Sequence, residues 1–235
     1  DRLRHQATSA LASRRDVIIV ASVSCIYNLG LPASYTAARL HLKIGQTIVR
    51  QDLIKQLVRI QFERTPGELK RGSFRVRGDV FEIMPAAENI IYRLELSEQQ
   101  VSGLAIVDQL TRKIKESLTE IIIFPPKHFV SSMPEIKEAV KSIKTELKDR
   151  LKYFQSKGFY LEAERLERRT RYDIEMLLSL GYCHGIENYS RHLVGKLPGE
   201  APDSLLAYFP KDQAGRSDFL TIIDESHVAV PQIRG

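Results

Sequence analysis

Two acidic residues, Asp224 and Glu225, directly follow the apolar run Phe219–Ile223 (FLTII). Such a run is typical of a strand buried on both faces of a parallel sheet. P-loop ATPases hold the magnesium ion of ATP on a carboxylate at the carboxyl end of such a strand, and a neighbouring glutamate orients the attacking water. Asp224 is therefore a candidate magnesium ligand, and Glu225 a candidate catalytic residue. For the pair taken alone, a solvated turn after a strand is the favoured alternative.

An ATPase also needs a glycine-rich loop ending in Gly-Lys-Ser/Thr, because backbone N–H groups and a lysine must neutralise the phosphates of ATP. The sequence contains Gly195-Lys196, but Leu197 follows in place of the hydroxyl residue. We therefore predict that this chain alone does not hydrolyse ATP.

Charged side chains alternate with apolar ones in the β-type stretch Ser73–Met84 (SFRVRGDVFEIM) and again in Tyr92–Leu96. Because successive side chains of a strand point to opposite faces, the charged members are expected to share one face. Arginine is favoured where planar, bidentate contacts to carboxylates form, so this face is a candidate docking surface. An ordinary solvated face is the alternative that composition favours. The candidate residues are Arg64, Arg75, Arg77, Arg93 and Glu95.

Two further pairs of side chains could contact nucleic-acid phosphates. Ser22 and Ser24 lie just past the apolar run Asp16–Ala21 (DVIIVA), and their hydroxyls could donate to phosphate oxygens. The alternative is that they satisfy backbone groups of a turn. Arg169 and Arg171 are the best phosphate-contact candidates in a stretch that mixes acidic and basic residues, although such mixing usually indicates solvated ion pairs on a helix. The six histidines show no metal-ligand spacing, so no zinc site is expected.

Three kinds of element would position these residues. The runs Asp16–Ala21 and Phe219–Ile223 predict two separated strands of an α/β sheet, after a first helix over Leu3–Ser13. Between them, Asp52–Phe62 could be a short helix or a strand. Five β-type segments separated by turn residues predict hairpins and an antiparallel sheet in an inserted domain. These segments are Ser73–Arg77, Val80–Met84, Ile90–Leu96, Val101–Val107 and Glu120–Phe124.

A helical hairpin is predicted next. Ser132 and Glu135 have the spacing of a capping box. Gly158 interrupts the helix that follows, and a second helix is expected from about Tyr160 to Leu180. Apolar residues at spacings of three and four predict one apolar face on the first helix: Ile136, Val140, Ile143, Leu147, Leu151 and Phe154.

The composition sets broad limits on the class of protein. The formal charge of +6 and the pI near 9.3 permit an anionic partner such as nucleic acid, but many plain soluble domains are equally basic. No apolar run is long enough to cross a membrane, so no membrane partner is expected. Two distant cysteines, Cys25 and Cys183, fit a reducing cytoplasmic setting. The chain begins without methionine, and both of its ends are expected to be internal to a longer protein.

Five blocks of the sequence, in order, resemble the UvrB family: Asp16–Gly30, Phe74–Ile83, Arg169–Met176, Gly181–Leu193 and Ile223–Arg234. The resemblance covers essentially the whole chain. It implies an α/β fold that forms part of a P-loop helicase-like core, with an inserted antiparallel-sheet α+β domain and a helical subdomain. The implied domains are 1–37 in the first helicase subdomain, 38–126 as the UvrA-interaction domain, 127–203 as the helical subdomain, and 204–235 returning to the first helicase subdomain.

The resemblance also implies roles for the candidate residues. Asp224 and Glu225 match the Asp-Glu pair that serves magnesium and ATP, and Ser22 and Ser24 match a helicase motif that tracks the DNA backbone. The charged sheet residues match positions implicated in UvrA contact, so docking becomes the favoured interpretation of that face. These matched positions are Arg64, Arg75, Arg77, Arg93 and Glu95.

For the longer protein the resemblance implies ATP-dependent verification of damaged DNA in nucleotide excision repair, with UvrA and UvrC as partners and ATP and Mg²⁺ as cofactors. This chain lacks the phosphate-binding loop and a second motor domain, and it is expected to be inactive alone and to bind neither cofactor. The alternative is the inserted domain of a related transcription–repair coupling factor, acting only as a protein–protein interaction module.

Overall fold

The computed structural model describes residues 2–27, 29–128 and 133–234. They divide into two compact units. The first unit, which we call the sheet unit, contains Asp1–Ile26, Pro32–His128 and Leu205–Gly235. The second, the helical unit, contains Tyr27–Leu31 and Phe129–Ser204.

The sheet unit is built around a six-stranded sheet in the order β2-β3-β4-β5-β6-β7. All neighbouring strands are antiparallel except the short β2–β3 pair, which is parallel. A two-stranded antiparallel sheet joins β1 to β8. The strands are β1 (Leu40–Lys43), β2 (Glu63–Arg64), β3 (Ser73–Arg77), β4 (Val80–Met84), β5 (Ile90–Ser97), β6 (Gln100–Asp108), β7 (Ile114–Ser117) and β8 (Glu120–Ile123).

In the part of the sheet unit that the structure describes there are four helices, together with short 3-10 turns at Val23–Cys25 and Leu205–Tyr208. The stretch 52–62, predicted to be either a helix or a strand, is largely helical. Leu53 and Leu57 lie one helical turn apart and are both completely buried, so the helix presents one apolar face to the core. The four helices are α1 (Arg2–Ser13), α2 (Pro32–Ala37), α3 (Arg50–Arg59) and α7 (Ser226–Arg234).

One face of the six-stranded sheet carries the main core. Phe74, Phe81 and Leu94 from successive strands are completely buried there. Helix α3 and the β1–β8 pair supply the other side of this core, including Leu53 and Leu42. The predicted alternation of apolar and charged residues is therefore confirmed, with the apolar side chains facing inward. Among the described residues, the opposite face carries a small apolar cluster of Leu69, Met84, Ile91 and Val107.

The helical unit contains α4 (Met133–Ser156), α5 (Tyr160–Leu180) and the short α6 (Ser190–Leu193), with a 3-10 turn at Ile186–Tyr189. The predicted hairpin of two long helices is confirmed, and Gly181 ends α5 as expected. Ser132, the proposed cap of the first helix, lies outside the described residues. The core of this unit joins the first turns of α4 to the end of α5 and to the segment that follows: Ile136, Ala139, Val140, Ile143, Ile174, Leu177, Cys183, Ile186 and Leu193.

The prediction of two buried parallel strands at Asp16–Ala21 and Phe219–Ile223 is wrong for this structure. Neither segment forms a strand, and Ile18 and Val20 are 94% and 97% exposed. A strand exists only by hydrogen bonding to neighbouring strands, and the described residues offer these two segments none. The P-loop core of the expected α/β fold is therefore not formed here, whereas the antiparallel sheet and the helices are. No helix in the described residues is long and apolar enough to cross a membrane.

Candidate functional site

The charged side chains predicted to share one sheet face lie in two cross-strand rows. In the first row Arg75 of β3 pairs with Glu82 of β4, which pairs in turn with Arg93 of β5. In the next row Val80 lies between Arg77 and Glu95. Residues directly opposite each other on antiparallel strands have side chains on the same face. The register therefore brings these four predicted residues together on the face opposite to the main core, which we call the charged face.

The pair of Arg75 and Glu82 forms the inner part of the charged face. The Arg75 guanidinium donates through Nε to a carboxylate oxygen of Glu82 and through a terminal nitrogen to the carbonyl of Gly67, 3.2 Å away. Arg112 approaches the other Glu82 oxygen to 3.6 Å. The side chains of Arg75 and Glu82 are only 12% and 17% exposed. Arg75 is therefore held in place and mostly covered, contrary to the expectation of an exposed contact residue.

A second ion pair lies beside the first. The guanidinium of Arg93 contacts a carboxylate oxygen of Glu95 at 2.8 Å, and both side chains are partly exposed. The cross-strand neighbour of Glu95 is Gly103, which has no side chain and so leaves room for Glu95 beside it. A Cβ atom added at Gly103 would lie 3.4 Å from the Cβ of Glu95. This pair presents one guanidinium and one carboxylate to solvent in a fixed arrangement.

Arg77 and Arg64 differ from the paired arginines. Both are exposed, and neither side chain forms a hydrogen bond or an ion pair with any residue in the part of the chain that the structure describes. Arg77 ends β3, and Arg64 lies on the edge strand β2. Their guanidinium groups keep all five donors available for an incoming carboxylate or phosphate.

The serines predicted to contact DNA lie at a short 3-10 turn. The hydroxyls of Ser22 and Ser24 are 3.1 Å apart, and Ser22 also donates to the Sγ atom of Cys25 at 3.3 Å. All three residues are exposed. The hydrogen bond from Ser22, assisted by Ser24, lowers the pKa of the Cys25 thiol below its usual value. The turn thus places two exposed, hydrogen-bonded hydroxyls beside a thiol of lowered pKa.

The Asp-Glu pair predicted to serve magnesium and ATP lies directly before α7. Asp224 and Glu225 are exposed, and His227 Nδ1 lies 3.4 Å from a Glu225 oxygen. Among the residues that the structure describes, no three His, Cys, Asp or Glu side chains are grouped so that they could hold a metal ion. The chain also supplies no glycine-rich phosphate loop. The residues present therefore do not fit a self-contained magnesium–ATP site.

Arg169 and Arg171, on α5, have different surroundings. Arg171 forms an exposed ion pair with Glu167 one turn earlier, with a 3.0 Å contact from Nε. The Arg169 Nε atom lies 3.8 Å from the buried carboxylate of Asp173. The same carboxylate accepts a 2.7 Å hydrogen bond from the Tyr189 hydroxyl. Burial, reinforced by this bond to Asp173, raises the pKa of Tyr189 to about 12.

Sequence reasoning missed the partners that hold the charged residues. Glu82 falls on the charged face by the same alternation that identified Arg75, so that signal was available in the stretch VFEIM. Arg112 lies in a loop with no periodic signal. Tyr189 and Asp173 are sixteen positions apart, and only the return of the chain past α5 brings them together.

Two family models match the chain. The model described as "UvrB interaction domain" matches residues 40–129, and the model described as "UvrB third helical domain" matches residues 134–195. Together they cover more than half of the 235 residues. The chain belongs to the UvrB family. The charged face lies wholly inside the part that matches the UvrB interaction domain.

Curated relatives support this UvrB membership. Proteins named "UvrABC system protein B" from Leptospira biflexa and Methanosphaera stadtmanae are each 51% identical over 235 residues. The protein of that name from Carboxydothermus hydrogenoformans is 52% identical over 236 residues. Each alignment covers 100% of this chain and 35% of the relative. The chain thus spans about a third of the length of the curated relatives it matches.

Proposed function

We propose that this chain is the UvrA-docking part of a UvrB protein, and that it binds UvrA through the charged face of its six-stranded sheet. The observation that carries the proposal is that fixed and free arginines lie together on one face. Arg75 and Arg93 are fixed by carboxylates of their own sheet, whereas the Arg77 side chain is exposed and free of partners among the described residues. Arg64 is exposed on the edge strand β2, but its pairing with Phe74 places it on the opposite face of the sheet. The match of residues 40–129 to the UvrB interaction domain supports the proposal further.

The chemistry of the charged face indicates what the partner must present. Free guanidinium groups recognise planar carboxylates through paired hydrogen bonds, so the partner is expected to place an acidic side chain opposite Arg77. The exposed part of the Arg93–Glu95 pair can accept and donate at once, which favours a partner of mixed charge at that point. Complementary charge of this kind chiefly steers association and fixes orientation.

We propose the wider role from the relatives' name. In the UvrABC system the complete protein would verify damaged DNA in nucleotide excision repair, with ATP and Mg²⁺ as cofactors and UvrC as a later partner. Ser22, Ser24, Arg169 and Arg171 remain proposed DNA contacts, and Asp224 and Glu225 remain proposed magnesium and catalytic residues of that longer protein. We also propose a cytoplasmic location, which the free thiols of both cysteines support.

Calorimetric titration of UvrA with the 235-residue chain tests the docking proposal. We expect saturable binding that weakens as salt is added, because exposed charges contribute to association. A chain that shows native circular dichroism and gives no binding heat at low salt would overturn the proposal. The same chain with magnesium and ATP is expected to show no turnover, and turnover would show that its residues do complete a nucleotide site.

A further inference from the structure

The tip of the α4–α5 hairpin is unusually aromatic. Four aromatic side chains fall within the eight residues from 153 to 160: Tyr153, Phe154, Phe159 and Tyr160. Phe159 and Tyr153 are about half exposed, and Tyr160 is 69% exposed. Gly158 closes the turn with a φ of +77°, a conformation that other residues rarely adopt, so both ring pairs stay beside the turn. We call these four rings the aromatic tip.

The rings of the aromatic tip are ordered by contacts with one another. Phe154 lies 5.9 Å from Tyr153 and meets Phe159 edge-on at 6.4 Å, measured between ring centroids. The Arg150 guanidinium lies 4.7 Å from the ring centroids of both Tyr153 and Phe154. This is the geometry of a cation–π contact, and it leaves the charge of Arg150 exposed.

Positive charge surrounds the aromatic tip. The residues from 148 to 160 include one acidic side chain, Asp149, and four exposed basic ones: Lys148, Arg150, Lys152 and Lys157. None of the four basic side chains forms an ion pair with a residue that the structure describes. The positive charges are therefore not neutralised within this surface.

A cleft of about 650 Å³ runs from the tip along the helical unit. Its size is within the range of about 300–1,000 Å³ that is usual for ligand sites. Arg150 and Phe154 line the tip end, and Arg165 and Arg169 continue along α5. Two acidic side chains also line it. Glu146 is paired with Arg191 and His192, whereas Glu162 has no cation partner among the described residues.

The apolar face of α4 extends beyond the core of the helical unit, and the cleft lies along the part of this face that the core does not cover. The predicted face runs from Ile136 to Phe154, but only its first half is buried. Leu147, Leu151 and Phe154 are only partly buried, and Leu147 and Phe154 line the cleft. Apolar and aromatic side chains thus lie beside the guanidinium groups of Arg150, Arg165 and Arg169 in this cleft.

We propose that the aromatic tip and the adjoining cleft bind single-stranded DNA, with bases stacking on Phe159 and Tyr160 and phosphates contacting Arg150 and Arg165. Proteins that hold single strands combine a basic groove for the backbone with exposed aromatic rings for the bases. The site lies on the helical unit, whereas the charged face, Ser22 and Ser24 lie on the sheet unit. It includes one DNA contact proposed above, Arg169, which lines the cleft. It rests on the proposed function only for the choice of DNA over RNA.

The local chemistry favours a single strand over a duplex or an acidic peptide. The bases of a duplex are stacked on each other and cannot reach an aromatic ring without being unpaired. An acidic peptide would satisfy the arginines and lysines but has no flat ring for four clustered aromatic side chains. A nucleic-acid strand uses both features at once.

Fluorescence anisotropy of a labelled oligothymidylate about 15 nucleotides long, near the upper end of single-strand site sizes, tests the proposal with the complete chain. Loss of a stacked ring is expected to weaken binding about fivefold or more in Tyr160→Ala. Tyr172→Ala is the matched control, because Tyr172 is 60% exposed on the same helix and about 18 Å further along it. The control should bind as the wild type does.

The phosphate contacts are tested by salt dependence. Each lost contact should reduce the slope of log affinity against log salt by about 0.7 for a single strand. Arg165→Gln is therefore expected to lower the slope, whereas Lys141→Gln, which removes a lysine already paired with Glu138 near the other end of α4, should leave it unchanged.

A measurement of tryptophan fluorescence distinguishes base stacking from simple charge attraction. The chain contains no tryptophan, so Tyr160→Trp and Tyr172→Trp each carry a single reporter. Quenching by the oligonucleotide in Tyr160→Trp alone would support the proposal. The proposal would be overturned by a folded chain that binds no oligonucleotide, or by equal quenching in both variants. It would also be overturned if polyglutamate displaced the strand and Tyr160→Ala bound with unaltered affinity. None of these outcomes bears on UvrA docking, which uses the other unit.

Discussion

Arg75 and Glu82 lie directly opposite each other on β3 and β4 and form an ion pair that the surrounding residues largely cover. Gly67 and Arg112 contact the two ends of this pair. The pair therefore fixes the inner part of the charged face and leaves the outer arginines to meet a partner.

This relationship predicts a stability effect. Glu82→Ala leaves the guanidinium of Arg75 covered and without its carboxylate, so we expect a loss of about 2 kcal/mol in the free energy of unfolding, somewhat less than for a fully buried pair. Lys55→Ala is the control, because it removes one member of the exposed Lys55–Asp52 pair and should cost about 0.5 kcal/mol or less. Urea melts measure both. Equal midpoints for the two variants would show that the Arg75–Glu82 pair contributes little.

A stacked pair of histidines in the sheet unit predicts a dependence of stability on pH. The rings of His5 and His128 are 4.0 Å apart, and the Nδ1 atom of His5 is buried without a hydrogen-bond partner among the described residues. Burial, with smaller contributions from nearby positive charges that include Arg4, lowers the pKa of His5 from 6.5 to about 4. Burial, followed by the nearby His5, lowers the pKa of His128 from 6.5 to about 3.

Because the pKa values of both histidines are lower in the folded chain than in the unfolded chain, the unfolded chain binds protons at a higher pH. Acidification therefore favours unfolding. The stabilisation is present above pH 6.5 and is lost as the pH falls towards 4. For His5 alone the loss is about 3 kcal/mol. We expect the melting temperature to fall across this window, and His128→Gln to flatten the fall, whereas His227→Gln, at an exposed histidine, should not. An unchanged slope in His128→Gln would contradict the assignment.

The two cysteines are expected to differ in reactivity. The hydrogen bond from Ser22 lowers the pKa of exposed Cys25, whereas burial, reinforced by Asp173, raises the pKa of Cys183 to about 11. Because the thiolate is the reactive form, dithiobis(nitrobenzoic acid) should label one thiol per folded chain near neutral pH, at Cys25. Ser22→Ala should slow that labelling. Rapid labelling of both thiols before denaturation would show that the helical unit does not bury Cys183 as described.

The hairpins and long helices follow from local sequence, and most were predictable. Turn residues such as Gly78-Asp79 separate β3 from β4, and alternation places Phe74 and Arg75 on opposite faces. Helix α5 likewise matches the prediction from Tyr160 to Leu180. These features depend on neighbours a few positions away, which a sequence displays directly.

Other features depend on the partners that the fold supplies. Asp16–Ala21 has the composition of a buried strand, yet it is exposed because no described strand pairs with it. The partner of Arg75 required the register of β3 against β4. The cleft at the hairpin could not be inferred either, because the apolar face of α4 gives no sign of where its core ends. Each of these depends on which distant segment packs against a residue.

The most direct test of the central claim is the affinity of UvrA for charge-reversed chains, measured by calorimetry. Arg77→Glu reverses a free guanidinium on the charged face, and Arg59→Glu reverses an exposed arginine on α3, which packs against the opposite face. Truncating one partner of a charge pair that is buried at an interface commonly costs about 2–5 kcal/mol. We predict that Arg77→Glu weakens UvrA binding about tenfold or more, whereas Arg59→Glu binds as the wild type does. Wild-type affinity in Arg77→Glu, or equal weakening in both variants, would contradict docking through this face.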